Sequence, residues 1–473
     1  MTLRLILLAA ASAVTLSGCL TAPEPPQSEL SLAQSAPLVS ADGSRFVEAE
    51  PVELWWQLYE SEALDTLVRT ALERNRTLAE VSAELEQVRA SLGEARSARL
   101  PSTTTSAEAG YARQPVEPSG YVEGDRYSVG FDTRWQLDLF GRVRNAVAAA
   151  RQDVLAAEAA YDAAAILVAG ETARAWADYC ASDRLVAVAR NNVEIAGRSL
   201  DLTERLYDAG RGLRLDVVQA QSRLETARAD LPSFRASRDS AVFRLATLTG
   251  RTPAQMQAEI PECEGVPRLE GPIAVGDAAS LLARRPDVRQ AEHALEGAAA
   301  RVGVATAELY PSVSLGGSIA STALDAGNLG NDDTLTISAG PLISWSFPNI
   351  AATRARIRQA EAGADAALAR FDQSVLNALQ ETETALTRYA AERERRNSLE
   401  VARDAAAEAA RLSRIRYEAG AESFLTVLDS ERTFADAQTA LARSDATAAS
   451  AEVDVFIALG GAWPRTRDAD SER

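Results

Sequence analysis

The chain has 473 residues, an alanine-rich composition and a formal net charge of −18, with its basic charge carried by arginine. That acidity argues against a nucleic-acid partner, since phosphate would be repelled, and most of it is accounted for by a solvated surface. Length alone suggests about three domains, an expectation that internal repeats override.

The first element is N-terminal. Arg4 supplies a positive start, and Leu5 to Val14 form an apolar run too short to span a bilayer. Leu16-Ser17-Gly18-Cys19 follows, which reads as a lipobox: residues 1–18 are a lipoprotein signal peptide and Cys19 becomes the lipidated mature terminus. Leu20, where an Asp would retain a lipoprotein at the inner membrane, implies onward transport to the outer membrane. Firm attachment needs a second signal beyond one lipid group. Residues 19–61 are expected to form a lipidated N-terminal segment that packs on the periplasmic equator. No window after Val14 is long and apolar enough for a transmembrane helix, so a crossing would have to be made by strands in a closed barrel.

The remainder is written twice. Leu206-Tyr207-Asp208-Ala209-Gly210 recurs as Arg416-Tyr417-Glu418-Ala419-Gly420, an offset of 210 residues (417 − 207). The same offset pairs Pro101 with Pro311, Trp135 with Trp345, Leu215 with Leu425 and Gly250 with Gly460. Repeat one covers residues 62–261 and repeat two 276–463. From Pro261, the last residue of repeat one, the chain runs through a linker (residues 262–275) that includes Pro272, and residues 464–473 form a polar tail.

Each repeat predicts a helix, two strands and two long helices. Ala63 to Arg99, free of proline and closed by Pro101, reads as one helix; its partner runs from Asp277 to Leu309, with Pro286 breaking it or starting it late. Strands are expected at about 102–113 and 127–139, and again at 312–322 and 334–347. Their apolar and polar residues alternate with a period of two: Tyr127, Val129, Phe131, Thr133, Trp135 and Leu137 share one face. Polar loops join them around Gln114 to Asp125 and Ala323 to Asp333. About twelve residues at about 3.3 Å, tilted near 40°, rise roughly 30 Å, the height of an apolar band. Four strands cannot close, because membrane barrels begin at about eight, so several chains must share one barrel.

The long helices are predicted over 141–206 and 349–416, each roughly 100 Å at about 1.5 Å per residue. Glycine turns at Gly210 and Gly420 lead into returning helices over 213–248 and 423–459. Little here supports catalysis. His293 is the lone histidine, best read as a solvated or packed helix residue, and neither a G-x-S-x-G turn nor a zinc-type cysteine spacing is present. No cofactor is expected beyond the covalent lipid, and no phosphate-cradling glycine loop is found, so energy must come from a partner.

Four segments carry a resemblance: WWQLY over 55–59, RRPDVRQAE over 284–292, LYPSVSL over 309–315 and RYEAGAESFLTVLD over 416–429. Together with the repeat they resemble the outer-membrane efflux proteins of the TolC and OprM type, in the NodT-like lipoprotein branch. The resemblance covers nearly the whole mature chain. It implies an α+β membrane protein: a homotrimer whose three chains share a 12-stranded outer-membrane β-barrel continued by a long periplasmic α-helical barrel. A periplasmic adaptor and an inner-membrane RND-type pump would dock at its far end. A duct for a type I protein-secretion system is the alternative, whereas a porin lacks the long helices and a structural rod lacks the strands.

The family also implies site residues. A leucine and an aspartate on the second returning helix constrict the aperture in the family, and the matching positions are Leu425 and Asp429. Their i, i+4 spacing puts both on one helix face, and three copies would make an apolar and an acidic ring. The repeat equivalents are Leu215 and Gln219. Arg416 and Tyr417 match residues that tie neighbouring hairpins by polar contacts, with Asp183 near the expected place of an acidic partner. The turns at Gly210 and Gly420 are expected adaptor contacts. Finally, Cys180 and Cys263 lie at compatible heights above the tips, as either a disulfide or two buried thiols.

Overall fold

A computed structural model describes residues 24–28, 38–41, 45–115, 118, 120–345 and 350–461. The signal peptide, Cys19 and the C-terminal tail lie outside the described residues. The chain divides into two compact units, one of residues 1–29, 84–158 and 290–373, the other of residues 30–83, 159–289 and 374–473. In chain order the elements are β1 (Phe46–Val47), α1 (Glu62–Arg74), α2 (Arg76–Ser97), β2 (Ser102–Pro115), β3 (Tyr121–Leu137), α3 (Arg142–Asp208), α4 (Arg214–Leu248) and α5 (Pro253–Glu259). Repeat two follows with β4 (Ile273–Ala274), α6 (Ala278–Arg284), α7 (Pro286–Ala307), β5 (Ser312–Ala323), β6 (Leu335–Ser344), α8 (Ile350–Glu418) and α9 (Phe424–Ala458). No helix among the described residues is long and apolar enough to cross a membrane.

The first unit holds an antiparallel sheet in the order β2-β3-β5-β6. Its register aligns Thr105, Phe131, Ile319 and Ile337 across all four strands, with Trp135 beside Leu315 and Pro341. Because side chains alternate, this face gathers Tyr127, Val129, Phe131, Trp135, Leu315, Ile319, Leu335, Ile337 and Ile343, while Glu108, Ser128, Asp132, Arg134, Gln136, Ser314 and Ser338 take the other. The apolar side chains Phe131, Ile319, Ile337 and Ile343 are exposed to solvent in one chain, as expected of a surface meant for lipid. Trp135 and Trp345 each donate their indole N–H to the carbonyl ending the preceding helix, Arg99 O at 2.9 Å and Leu309 O at 3.3 Å.

The strands differ from their predicted bounds. The β2–β3 ladder reaches Pro115 and begins again at Tyr121, so the expected loop over Gln114 to Asp125 is mostly paired strand. Arg113 and Glu123 form an ion pair there, and the Arg113 guanidinium lies over the Tyr121 ring. Strand β3 ends at Leu137 rather than 139, and β6 is described only over Leu335–Ser344, residues 346–349 lying outside the described residues. Two elements were unforeseen: α5, opened by a Thr252/Gln255 capping box, and the parallel pair β1–β4 (Phe46 with Ile273, Val47 with Ala274). That pair ties the N-terminal segment to the linker with β structure outside the hairpin strands.

Nor is the segment from Ala63 to Arg99 one helix. Asn75 adopts an extended conformation (φ −61°, ψ 132°) between α1 and α2. Its Oδ1 accepts from Leu78 N at 3.1 Å, capping α2, and its Nδ2 donates to Leu248 O at 3.0 Å. Arg285 repeats the break between α6 and α7 (φ −61°, ψ 120°), with Pro286 fit to open the next helix, and donates to Ala458 O at 2.9 Å. Both the breaks and the accepting carbonyls are related by the repeat offset. Glycine is required beside each: Gly250 has φ +65° and a Cβ there would lie 2.6 Å from Arg74 O, while Gly460 has φ +81° beside Arg285.

The second unit carries the main core, with Trp55, Trp56, Leu64, Val68, Trp176, Leu245, Met256, Leu281, Leu386, Tyr389 and Phe456 buried together. Trp55 stacks on Phe456 with centroids 4.8 Å apart, so residues 55–59 are anchored by large aromatic burial.

Candidate functional site: the hairpin tips

The second unit also contains both hairpin turns. In the first, Gly210 (φ +68°) donates to Tyr207 O at 2.9 Å and Arg211 N to Leu206 O at 2.8 Å. In the second, Gly420 (φ +72°) donates to Tyr417 O at 2.9 Å and Ala421 N to Arg416 O at 2.8 Å. This paired closure satisfies the last carbonyls of the long helices and needs the left-handed conformation that glycine adopts freely. The returning helices start differently. Ser423 caps α9 by accepting from Thr426 N at 3.3 Å, whereas Leu213 at the head of α4 makes no side-chain cap.

One face of α9 is packed and another is open. Phe424 and Val427 are buried against Ala220 of α4, with Leu200, Tyr417 and Leu428 around them. Leu425 is 65% exposed and Asp429 is exposed as well, so the two predicted constriction residues share a solvent-facing stripe one turn apart. Leu215 is likewise exposed on α4, at 61%, and Gln219 is half-buried. Within the chain this stripe stays open to solvent.

Arg416 and Tyr417 sit at the same tip with separate partners. Arg416 is paired with Glu422 of its own turn at 3.6 Å. Tyr417 tilts against Phe424 with centroids 5.4 Å apart. Burial, then the Asp216 carboxylate at the head of α4, pushes its hydroxyl pKa up. Asp183 does not meet Arg416 within the chain: it lies on α3 and faces Arg238 at 3.7 Å.

Sequence reasoning missed a buried carboxylate next to this stripe. Glu431, only 4% exposed, accepts from Ser199 Oγ of α3 on both oxygens at 2.9 Å and is ion-paired with Arg414 of α8. Ser413 and Ser430 bond one another beside it. In the sequence Glu431 looks like any helix-surface acid, because i, i+3 periodicity gives no sign of a buried charge.

Farther along the same helices, Cys180 and Cys263 are joined as a disulfide with Cα atoms 5.5 Å apart, pinning the inter-repeat linker to α3. A groove of about 590 Å³ opens beside it, lined by residues that include Arg184, Arg393 and Glu452. Glu452 accepts from Tyr389 Oη at 3.1 Å and from Leu269 N at 3.2 Å. Its burial raises the carboxyl pKa, and these donors hold it back. In the first unit, His293 Nδ1 lies 3.1 Å from Gln152 Oε1. Among the described residues no group of three or more His, Cys, Asp or Glu side chains is placed to hold a metal.

A strand pair, a long helix and a glycine-turned return, each present twice, is the arrangement captured by the family model for outer membrane efflux proteins, which matches residues 67–251 and 278–461. This chain belongs to that family. It is 30% identical to outer membrane protein OprJ of Pseudomonas aeruginosa over 462 residues, 96% of this chain and 95% of OprJ. Nodulation protein T of Rhizobium leguminosarum bv. viciae is 29% identical over 97% of this chain and 93% of its own length. Among solved structures, the outer-membrane channel OprN superposes with a TM-score of 0.87 at 34% identity, over 94% of this chain and all of that one. The efflux family membership fixes the setting: the protein is an outer-membrane duct, and the paired strands belong to its barrel wall. The family is one of channel proteins, in keeping with a chain that conducts rather than converts.

Proposed function

We propose that this outer-membrane duct acts as a homotrimer, passing small toxic compounds from an inner-membrane RND-type pump and a periplasmic adaptor to the outside. The observation that carries a barrel shared between chains is the sheet, and the likeness to outer-membrane efflux channels supports three of them. Its outer strands β2 and β6 have no further strand beside them among the described residues, and its apolar face is bare. Unpaired backbone groups in hydrocarbon cost several kcal/mol each, so copies of the chain must join edge to edge. Cys19 carries the lipid and tethers a barrel that already spans the membrane. Leu425 and Asp429 form the gate rings, Arg416 and Tyr417 brace them, and the turns at Gly210 and Gly420 receive the adaptor.

The test is single-channel conductance of the trimer in planar bilayers. Asp429→Ala should raise conductance and lower cation preference, because three carboxylates leave a narrow ring. Gln219→Ala, at the equivalent place of the first hairpin, should do neither. Unchanged conductance in Asp429→Ala sinks the gate assignment.

A further inference from the structure

At the periplasmic end of the sheet the strands give way to helices, and a cavity of about 240 Å³ lies at that junction in the first unit. Its walls are the ends of β3, β6 and α7, the start of β5, and the heads of α3 and α8. Sites that enclose a whole drug-sized ligand measure roughly 300–1,000 Å³, so this one suits a compact polar group attached to something larger. Two kinds of side chain line it. Arg142, Arg356, Asp138 and Glu308 are charged, and Phe140, Tyr310 and Trp345 are aromatic.

The charges are unevenly engaged. Asp138 accepts from Val143 N at 3.0 Å and Arg144 N at 2.8 Å, so both its oxygens serve the first turn of α3. Glu308 meets Arg356 through Oε2 at 2.9 Å, and its Oε1 has no partner among the described residues. Arg142 is exposed and forms no ion pair among the described residues. Phe140 and Tyr310 stack with centroids 4.8 Å apart, yet Tyr310 keeps 40% of its surface open. The cavity therefore offers a free guanidinium, a half-engaged carboxylate and open aromatic surface, with formal charges that cancel.

The backbone demands none of this. Displaced by the repeat offset, Arg142 becomes Ala352, Arg356 becomes Ala146, Glu308 becomes Ala98, Phe140 becomes Ile350 and Tyr310 becomes Leu100. The chain thus builds its other helix-to-strand junction from alanine, leucine and isoleucine. Of the lining aromatics only Trp345 keeps its kind, as Trp135, and both indoles are exposed, in keeping with the aromatic girdle of a membrane barrel. Trp345 lies two residues beyond Ile343, itself exposed on the apolar face, so the cavity adjoins the surface that meets acyl chains.

We infer that this cavity binds the headgroup of a zwitterionic phospholipid from the inner leaflet of the outer membrane. Arg142 takes the phosphate through charge-assisted hydrogen bonds. Glu308 and the open Tyr310 ring take the ammonium, by ion pairing and cation–π attraction. An anionic headgroup with no ammonium would leave Glu308 facing like charge. The acyl chains run along Trp345 and Ile343. This inference depends on the outer-membrane setting alone and not on the gate assignment.

The experiment is native mass spectrometry of the delipidated full-length protein in detergent, titrated with phosphatidylethanolamine, phosphatidylglycerol or diacylglycerol of the same acyl chains. The native protein should retain phosphatidylethanolamine in preference to the other two. Arg142→Ala and Tyr310→Leu, which copy the residues at the matching places of the repeat, should each weaken that retention by about tenfold. Because Arg142 is exposed and alanine serves at its counterpart, the loss reports binding rather than folding. Glu308→Gln should erase the preference over phosphatidylglycerol while a lipid is still held. Arg354→Ala removes an exposed arginine of α8 that does not line the cavity, and should change nothing. Equal retention of phosphatidylethanolamine and diacylglycerol, a native preference for phosphatidylglycerol, or equal losses in Arg142→Ala and Arg354→Ala would each overturn the inference.

Discussion

The two repeats solve the same backbone problems with different side chains, and the differences fall where one half has been given a charge. At the break before the strand-bearing segment, repeat one uses Asn75 and repeat two uses Arg285, each donating to the carbonyl near the end of its returning helix. In the main core, repeat one places Val242 where repeat two buries Glu452, and both are nearly inaccessible. At the tips, the uncapped Leu213 faces the capped Ser423. Common geometry is therefore set by backbone demands such as glycine turns and helix ends, while the buried charges Arg285, Glu431 and Glu452 all fall in repeat two.

The largest test of that contrast is at the breaks. Arg285 is buried and also pairs with Asp287 at 2.7 Å and Glu381 at 2.6 Å, both partly exposed. Arg285→Ala strips the Ala458 carbonyl of a charged donor and removes packing beside Gly460, at a cost of about 3 kcal/mol. Asn75→Ala loses a neutral bond and the cap on α2, about 2 kcal/mol. Thermal unfolding of detergent-solubilised trimer should therefore show the greater drop for Arg285→Ala; equal drops would make the charge incidental.

How much of this was readable from residues alone follows the same division. Backbone repetition was legible: the offset, the period-two strands, the lengths of the four long helices to within a few residues, and the glycine turns. Asn75 was not, because neither proline nor glycine marks it and its role appears only when Leu248 arrives from a distant helix. The extension of β3 back to Tyr121 was hidden by Gly124 and Asp125, which read as loop until Ala112 and Tyr111 pair with them. Two-residue strands such as β1 and β4 are too short to show any period. Leu425 and Asp429 were singled out through resemblance, but Glu431 was not, since burial of a helix acid depends on two other helices, α3 and α8, converging on it.

Glu452 gives the next test, smaller and dependent on pH. Its carboxyl pKa is raised in the folded chain, chiefly by burial. For a raised carboxylate, the stabilising contribution is fully present below the unfolded value, near 4.3, and is lost as pH rises through the folded value. Glu452→Gln keeps one oxygen for the Leu269 amide, turns its NH2 toward the Tyr389 hydroxyl oxygen, and cannot ionise. Relative to native, the variant should gain stability as pH climbs from the ordinary carboxylate range toward neutral, and the gain should vanish in acid. A difference in melting temperature that does not vary with pH would show that Glu452 does not titrate there. Val242, at the same place in repeat one, predicts no such dependence for a Val242→Ala variant, only a uniform loss.

The smallest effect lies at the heads of the returning helices. Ser423→Ala removes the cap on α9 and should cost about 1 kcal/mol, while Leu213→Ser supplies α4 with the cap it lacks and should stabilise that turn by roughly half as much. Both readings are best taken as hydrogen exchange at the first amides of each helix, because global melting of a long trimer would bury so local a change. If Leu213→Ser leaves exchange at Asp216 and Val217 unaltered, then the first hairpin is not merely an uncapped copy of the second. Its exposed leucine would then be kept at that position for contact with a partner at the tip, where a polar side chain serves less well than an apolar one.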